Sequence, residues 1–259
     1  MPPPIEPRAC CCLAGIQTDP YASAWSPDGH WLAGTTYPGD GAHDLTLLDM
    51  STDPPAVDRT RLEDYYPMSF LVWSPDSTRL IVSGLGAETA IYEVQTGALT
   101  PLIALQGSDR IAGSGASWSP DGQQIAFAGM NNNGNYYYLY VVNVDGTELH
   151  QVIDSPVANY PPFWMPDGQQ VMVNTYPPPE IRDLALVNVN TGTITPVIHD
   201  SSALYRPVAL LDLSHLLASG YSNDPDATEQ VYVIDLTTGD STWIQTGVAD
   251  VFYLQRVPW

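Results

Sequence analysis

The chain has no lysine. Its basic complement is eight arginines against 29 acidic residues, a formal net charge of −21 over 259 residues. A surface this negative repels phosphate backbones, so nucleic acid is excluded as a partner. Anionic membrane surfaces are disfavoured for the same reason. Charge is also scarce in total, at 14% of residues against about 25% in an average globular domain. The acidity reads first as a solubility device, with a basic partner as the alternative. Long apolar runs are missing too. No stretch approaches the roughly 20 residues that a membrane-spanning helix needs, so no membrane insertion is expected. Met1–Pro7 is Pro-rich, and no secretory signal is legible there. Cysteine is limited to Cys10, Cys11 and Cys12. Neighbours in sequence bridge only under strain and no distant partner exists, so no disulfide framework is written. The three read as small apolar residues of an edge strand rather than a metal or redox cluster. No apolar stripe of helical period runs for a helical length, and 24 prolines would break one. Hydrophobic residues at 44%, many of them aromatic or β-branched, suffice for a sizeable core and argue against disorder.

What the chain has is a repeat. Trp25-Ser26-Pro27-Asp28-Gly29 returns as Trp73-Ser74-Pro75-Asp76-Ser77, Trp118-Ser119-Pro120-Asp121-Gly122 and Trp164-Met165-Pro166-Asp167-Gly168. A worn fifth copy reads Ala209-Leu210-Leu211-Asp212-Leu213. The spacings are 48, 45, 46 and 45 residues. A fixed period in this range marks a repeat architecture. In the third copy Gly115–Ser119 is a short strand, Ser-Pro-Asp-Gly a tight turn, and Ile125–Gly129 an apolar strand. Asn133-Gly134 signals a hairpin, Tyr138–Val144 a longer strand, and Glu148–Ile153 a fourth. The same grammar places second strands at Trp31–Thr35, Leu80–Gly84, Val171–Asn174 and Leu216–Ser219. Third strands fall at Leu45–Met50, Ala90–Val94, Leu184–Val189 and Val231–Leu236. Four short antiparallel strands per repeat predict an all-β propeller of four-stranded antiparallel blades. The blades fall at about 21–66, 67–112, 113–157, 158–203 and 204–246. Residues 1–20 and 247–259 are expected to supply closing strands. The two together leave five clear blades, with a partial sixth open.

The phrase Trp-Ser-Pro-Asp-Gly, a strand such as Gln123–Gly129 and a strand such as Tyr138–Leu149 together resemble the WD-like repeat of TolB-like propellers. The same repeat builds the non-catalytic propeller of prolyl-oligopeptidase-type serine peptidases. The resemblance covers about Tyr21–Gln245 and departs at Ser77, Met165 and the fifth copy, which keeps only Asp212. It implies a bacterial protein- or peptide-binding scaffold in the cell envelope, in the periplasm or outside the cell. The alternatives are a propeller lyase or hydrolase acting on glycans, and the detached propeller of such a peptidase.

Candidate chemistry is sparse. The repeat carboxylates Asp28, Asp76, Asp121, Asp167 and Asp212 resemble a cation-binding ring, but their turn context explains them as caps. Twelve residues after each marker stand Tyr37, Leu85, Met130, Tyr176 and Tyr221. There the second strand gives way to its loop, so the five are expected around one mouth of the disc. They suit a peptide or glycan held by apolar and aromatic contact; packing between blades is the alternative. The variable loops beside them would carry recognition. Asp40–Asp44 and Asp224–Asp226 lack the spacing of a calcium loop. The histidines make no zinc pair, and neither a Gly-x-Ser-x-Gly nor a nucleotide-binding glycine pattern occurs. No catalytic residue, metal or cofactor is therefore assigned. Arg206, among other arginines, could reach a carboxylate. Oligomeric state is not legible.

Overall fold

The structure is a computed structural model. It describes residues 23–36, 43–62, 68–84, 89–102, 110–130, 136–176, 183–198, 203–222 and 230–244. These form five four-stranded antiparallel sheets, each paired in chain order. Blade 1 holds β1 (Ser23–Trp25), β2 (Trp31–Thr36), β3 (His43–Asp49) and β4 (Ala56–Leu62). Blade 2 holds β5 (Met68–Trp73), β6 (Arg79–Gly84), β7 (Ala90–Glu93) and β8 (Leu99–Pro101). Blade 3 holds β9 (Arg110–Trp118), β10 (Gln124–Met130), β11 (Tyr137–Asn143) and β12 (His150–Gln151). Blade 4 holds β13 (Phe163–Trp164), β14 (Gln170–Thr175), β15 (Asp183–Asn188) and β16 (Ile194–Ile198). Blade 5 holds β17 (Ala203–Leu210), β18 (His215–Ser222), β19 (Gln230–Asp235) and β20 (Ser241–Ile244). No described residue is helical.

The second strand of each repeat reads as an unbroken apolar run because both its faces are covered. Leu80 and Val82 of β6 enter a cluster with Ala33, Leu45 and Leu47 of blade 1. Ile81, between them, enters a cluster with Trp118, Ile125 and Phe127 of blade 3. In β10, Ile125 and Phe127 face blade 2, while Ala126 and Ala128 join Val171 and Val173 of blade 4. Met172 turns the other way, to Leu216, Ala218 and Ile234 of blade 5. Strand period two thus sorts alternate residues to alternate neighbours. Fully burying each such side chain contributes about 1.5–3 kcal/mol. Among the described residues, no such cluster joins blade 5 to blade 1. The segments expected to close the ring, 1–20 and 247–259, lie outside them.

First strands are innermost, and their tryptophans tie each blade to the one before. The Nε1–H of Trp73 donates to the Ala24 carbonyl at 2.9 Å. That of Trp118 donates to Val72 at 3.0 Å, and that of Trp164 to Ser117 at 3.1 Å. All three indoles are buried. Trp25, on the first blade, is 42% exposed. Blade 5 has Ala209 instead and is clamped differently. The Asn174 side-chain amide donates to the Tyr205 carbonyl at 2.6 Å, and its oxygen accepts the Tyr205 N–H at 3.3 Å.

A second tie recurs at the turns into the fourth strands. A Cβ on Gly146, Gly192 or Gly239 would stand 2.7, 2.8 or 2.2 Å from the carbonyl of Leu102, Val152 or Val197 in the preceding blade. All three glycines have positive φ, so any side chain there would be both strained and in collision. Strand bounds differ from the sequence expectation at several places, β12 and β9 among them. β12 starts only at His150, because Glu148 takes φ 56° and takes the chain out of the ladder. β9 extends back to Arg110, through a register shift against β10 between Phe127 and Gly129.

Trp118→Phe keeps a ring but deletes the donor, leaving the Val72 carbonyl without this partner. The expected loss is about 1–3 kcal/mol in urea unfolding, against about 3–5 kcal/mol for Trp118→Ala. Equal stability of Trp118→Phe and the parent would remove the hydrogen bond from this account.

Candidate functional site

The five turn carboxylates are each occupied by their own turns. Ser26 Oγ donates to Asp28 Oδ1 at 2.6 Å and accepts the Trp31 N–H at 2.9 Å. Ser74 with Asp76 and Ser119 with Asp121 repeat this geometry. Where the serine is lost, the carboxylate takes over its acceptor role. Asp167 Oδ1 accepts the N–H of both Gln169 and Gln170, and Asp212 Oδ1 that of both Ser214 and His215. Neighbouring turns are also stitched together. Ser77, at φ 60° where three of the other copies have glycine, accepts the Asp28 N–H through its hydroxyl at 3.1 Å. Arg79 donates to the Gly122 carbonyl at 3.0 Å and lies 4.9 Å from the Trp118 ring centroid.

These bonds set the titration. Burial opposes ionisation of Asp28 and Asp76, but the hydroxyls of Ser26 and Ser74 and further donors outweigh it and hold both carboxyls below their usual value. Asp212 is brought down to about 2 by the Ser214 N–H, the His215 ring and the Ser214 hydroxyl.

Asp212, Ser214 and His215 bring carboxylate, hydroxyl and imidazole together, but not in the order of a hydrolytic relay. Both carboxylate oxygens stand 2.9 Å from His215 Nδ1, and Ser214 Oγ stands 3.2 Å from the same nitrogen. A relay needs the hydroxyl on the opposite ring nitrogen. The trio is a turn clasp. Among the described residues, no three His, Cys, Asp or Glu converge to hold a metal ion.

The opposite end of the disc differs. There the second strands end and the third begin, leading into segments 37–42, 85–88, 131–135, 177–182 and 223–229. Of the five ring positions, Tyr37 and Leu85 fall outside the described residues, as does the side chain of Tyr221. Met130 closes β10 and Tyr176 follows β14; both are half-buried. Backbone pairing draws these two sites together. Met130 pairs with Tyr137, Val157 bridges both Tyr137 and Thr175, and the Tyr176 N–H donates to the Pro156 carbonyl at 2.9 Å. Tyr136, next to them, is 53% exposed. Sequence reasoning passed over Tyr160, whose ring carries the Arg206 guanidinium at 4.7 Å. Its signal was the Tyr-Pro-Pro run leading into β13, which no other blade entry has.

The arrangement of blades has solved counterparts. A putative TolB from Agrobacterium tumefaciens matches with a TM-score of 0.62 and 18% identity, over 86% of this chain and 79% of that one. The chain folds as a TolB-like β-propeller. An oligogalacturonate lyase from Vibrio parahaemolyticus shares the propeller with a TM-score of 0.65 and 14% identity, over 86% and 64% of the two chains. TolB from Acinetobacter baumannii gives 0.50 and 18%, over 86% and 56%. In sequence, the propeller is 32% identical over 133 residues to the uncharacterized peptidase YuxL of Bacillus subtilis (strain 168). That match takes in 51% of this chain and spans 18% of the peptidase. No protein-family model matches the chain.

Because the folded-state carboxyl of Asp76 sits below its unfolded value, its contribution is present above about pH 4 and is lost as pH falls through the lowered value. Asp76→Asn is therefore expected to melt below the parent at pH 7, with the difference closing under acid. A difference in melting temperature that is constant from pH 7 to pH 3 would contradict the assignment.

Proposed function

We propose that the propeller is a non-catalytic scaffold that binds a protein or peptide at its loop face, in the cell envelope or outside the cell. The contrast between the two faces carries this reading. On the turn face the repeated polar groups are consumed by their own backbone, copy after copy. On the loop face the copies diverge, and the described part offers tyrosines and a methionine held on paired backbone. Large amphipathic rings on a rigid frame supply contact area at low entropic cost. A few such anchors dominate the affinity of a protein interface. The compartment follows the resemblance to TolB-like proteins. The likeness to the peptidase spans 18% of that protein, and the Ser214–His215–Asp212 geometry does not relay a proton, so its activity is not carried over.

The test is a binding screen on the purified chain, followed by the triple variant Tyr37→Ala, Tyr176→Ala and Tyr221→Ala. Loss of at least tenfold in affinity with an unchanged melting temperature is expected, the scale of about 1.4 kcal/mol or more for interface anchors. Undiminished binding by the triple variant, or turnover of a peptide or glycan abolished by one substitution, would overturn the proposal.

A further inference from the structure

The flank between blades 2 and 3 holds a half-enclosed cleft of about 150 Å³. Ile91, Leu102 and Val144 supply its apolar part, while Arg79, Glu93 and Asp145 bring charge of both signs to it. None of the five repeat carboxylates lines it. It lies away from the loop face, because Arg79 opens β6, Glu93 closes β7 and Asp145 follows β11.

Arg79 and Glu93 stand directly opposite each other on β6 and β7, so their side chains share one face of the sheet. They form no ion pair. Arg79 reaches across to blade 3 instead, where its guanidinium sits 4.9 Å from the Trp118 ring centroid and Nη2 donates to the Gly122 carbonyl at 3.0 Å. Nη2 also stands 4.0 Å from Asp76 Oδ2, and the side chain is only 19% exposed. Both polar contacts use one nitrogen, which leaves the donors on Nε and Nη1 unspent. Among the described residues the Glu93 carboxylate has no partner. In blades 3 and 4 the same two positions hold Gln124 with Asn143 and Gln170 with Asn188, which carry no charge. Asp145 Oδ1 accepts the hydroxyl and the N–H of Thr147 at 2.6 and 3.0 Å. Those two bonds hold its carboxyl below the usual value and keep it ionised.

An alkylammonium alone would meet the like charge of Arg79 in this cleft. A carboxylate alone would meet Glu93, Asp145 and the net charge of −21. A zwitterion meets neither objection, and it carries no net charge for the field of the chain to oppose. The cleft is smaller than the roughly 300–1,000 Å³ of sites that take drug-sized molecules, so its ligand is small. Ile91 and Leu102 are buried and Val144 is half-buried, which suits an aliphatic group.

We infer that this cleft binds a free α-amino acid with a small aliphatic side chain, its carboxylate on Arg79 and its ammonium on Glu93 and Asp145. The site uses no residue of the loop face and does not rest on the reading given to that face.

The experiment uses the full chain labelled with ¹⁵N. The arginine Nε–H signal that Arg79→Lys removes reports the site. L-Alanine is expected to shift that signal saturably. Propionate lacks the ammonium and ethylamine lacks the carboxylate. Each is expected to bind at least about tenfold more weakly, the step of one charge-assisted pair. Glu93→Gln alters an exposed side chain and is expected to keep the parent's melting temperature. It is expected to weaken alanine about fivefold, since Asp145 remains, and to leave propionate no weaker. Propionate or ethylamine binding as tightly as alanine overturns the inference, by showing a site for one charge only. So does an alanine affinity that Glu93→Gln does not move, or the lack of any saturable shift.

Discussion

A four-stranded sheet with apolar residues on both faces cannot stand in water. Everything else in this molecule follows from how that is met. Leu80, Ile81 and Val82 alternate between two neighbouring blades, and so do Ile125, Ala126 and Phe127. Each blade is thus the cover of the next. The indole-to-carbonyl bonds of Trp73, Trp118 and Trp164 add direction to this burial, because an N–H removed from water must find an acceptor. The glycine turns set the distance, since blades this close leave no room for a Cβ beside the carbonyls of Leu102, Val152 and Val197.

The same constraint divides the two ends of the disc. At the turn end the chain reverses tightly within a blade and touches the next turn through Ser77 and Arg79. Its carboxylates and hydroxyls are committed to that geometry, which leaves them little to offer a ligand. At the loop end the sheets need only be joined, so residue type is free to vary. The proposal accordingly places recognition at the end where folding asks least of the sequence. The chain between β12 and β13 shows this freedom. Val157 serves as a bridge between two blades, Pro161 as a spacer and Tyr160 as a platform for Arg206.

Much of the fold was legible because the repeat states it in register. Turn chemistry and period two placed the strands to within a few residues, except where β9 runs back to Arg110 and where Glu148 left the ladder. The turn hydrogen bonds were legible in kind. The replacement of Ser by a second carboxylate bond at Asp167 and Asp212 was not, because it depends on where the backbone N–H groups point. Position arithmetic brought Met130 and Tyr176 to one face, but it could not show that Val157 joins them. Tyr160 and Arg206 stand 46 residues apart, close to one repeat period, four residues before Trp164 and three before Ala209. Their meeting depends on the path of a link between blades, which no local pattern encodes. The unlike clamp of blade 5, Asn174 on Tyr205, was hidden for the same reason.

If blades are stable only as mutual cover, interface and sheet must be lost together. Guanidinium unfolding followed by near-ultraviolet circular dichroism, which reports the immobilised indoles, and by the far-ultraviolet strand signal tests this directly. The account predicts superimposable transitions with a single midpoint. Loss of the indole signal at lower denaturant, with the strand signal intact, would show blades standing alone and would contradict it.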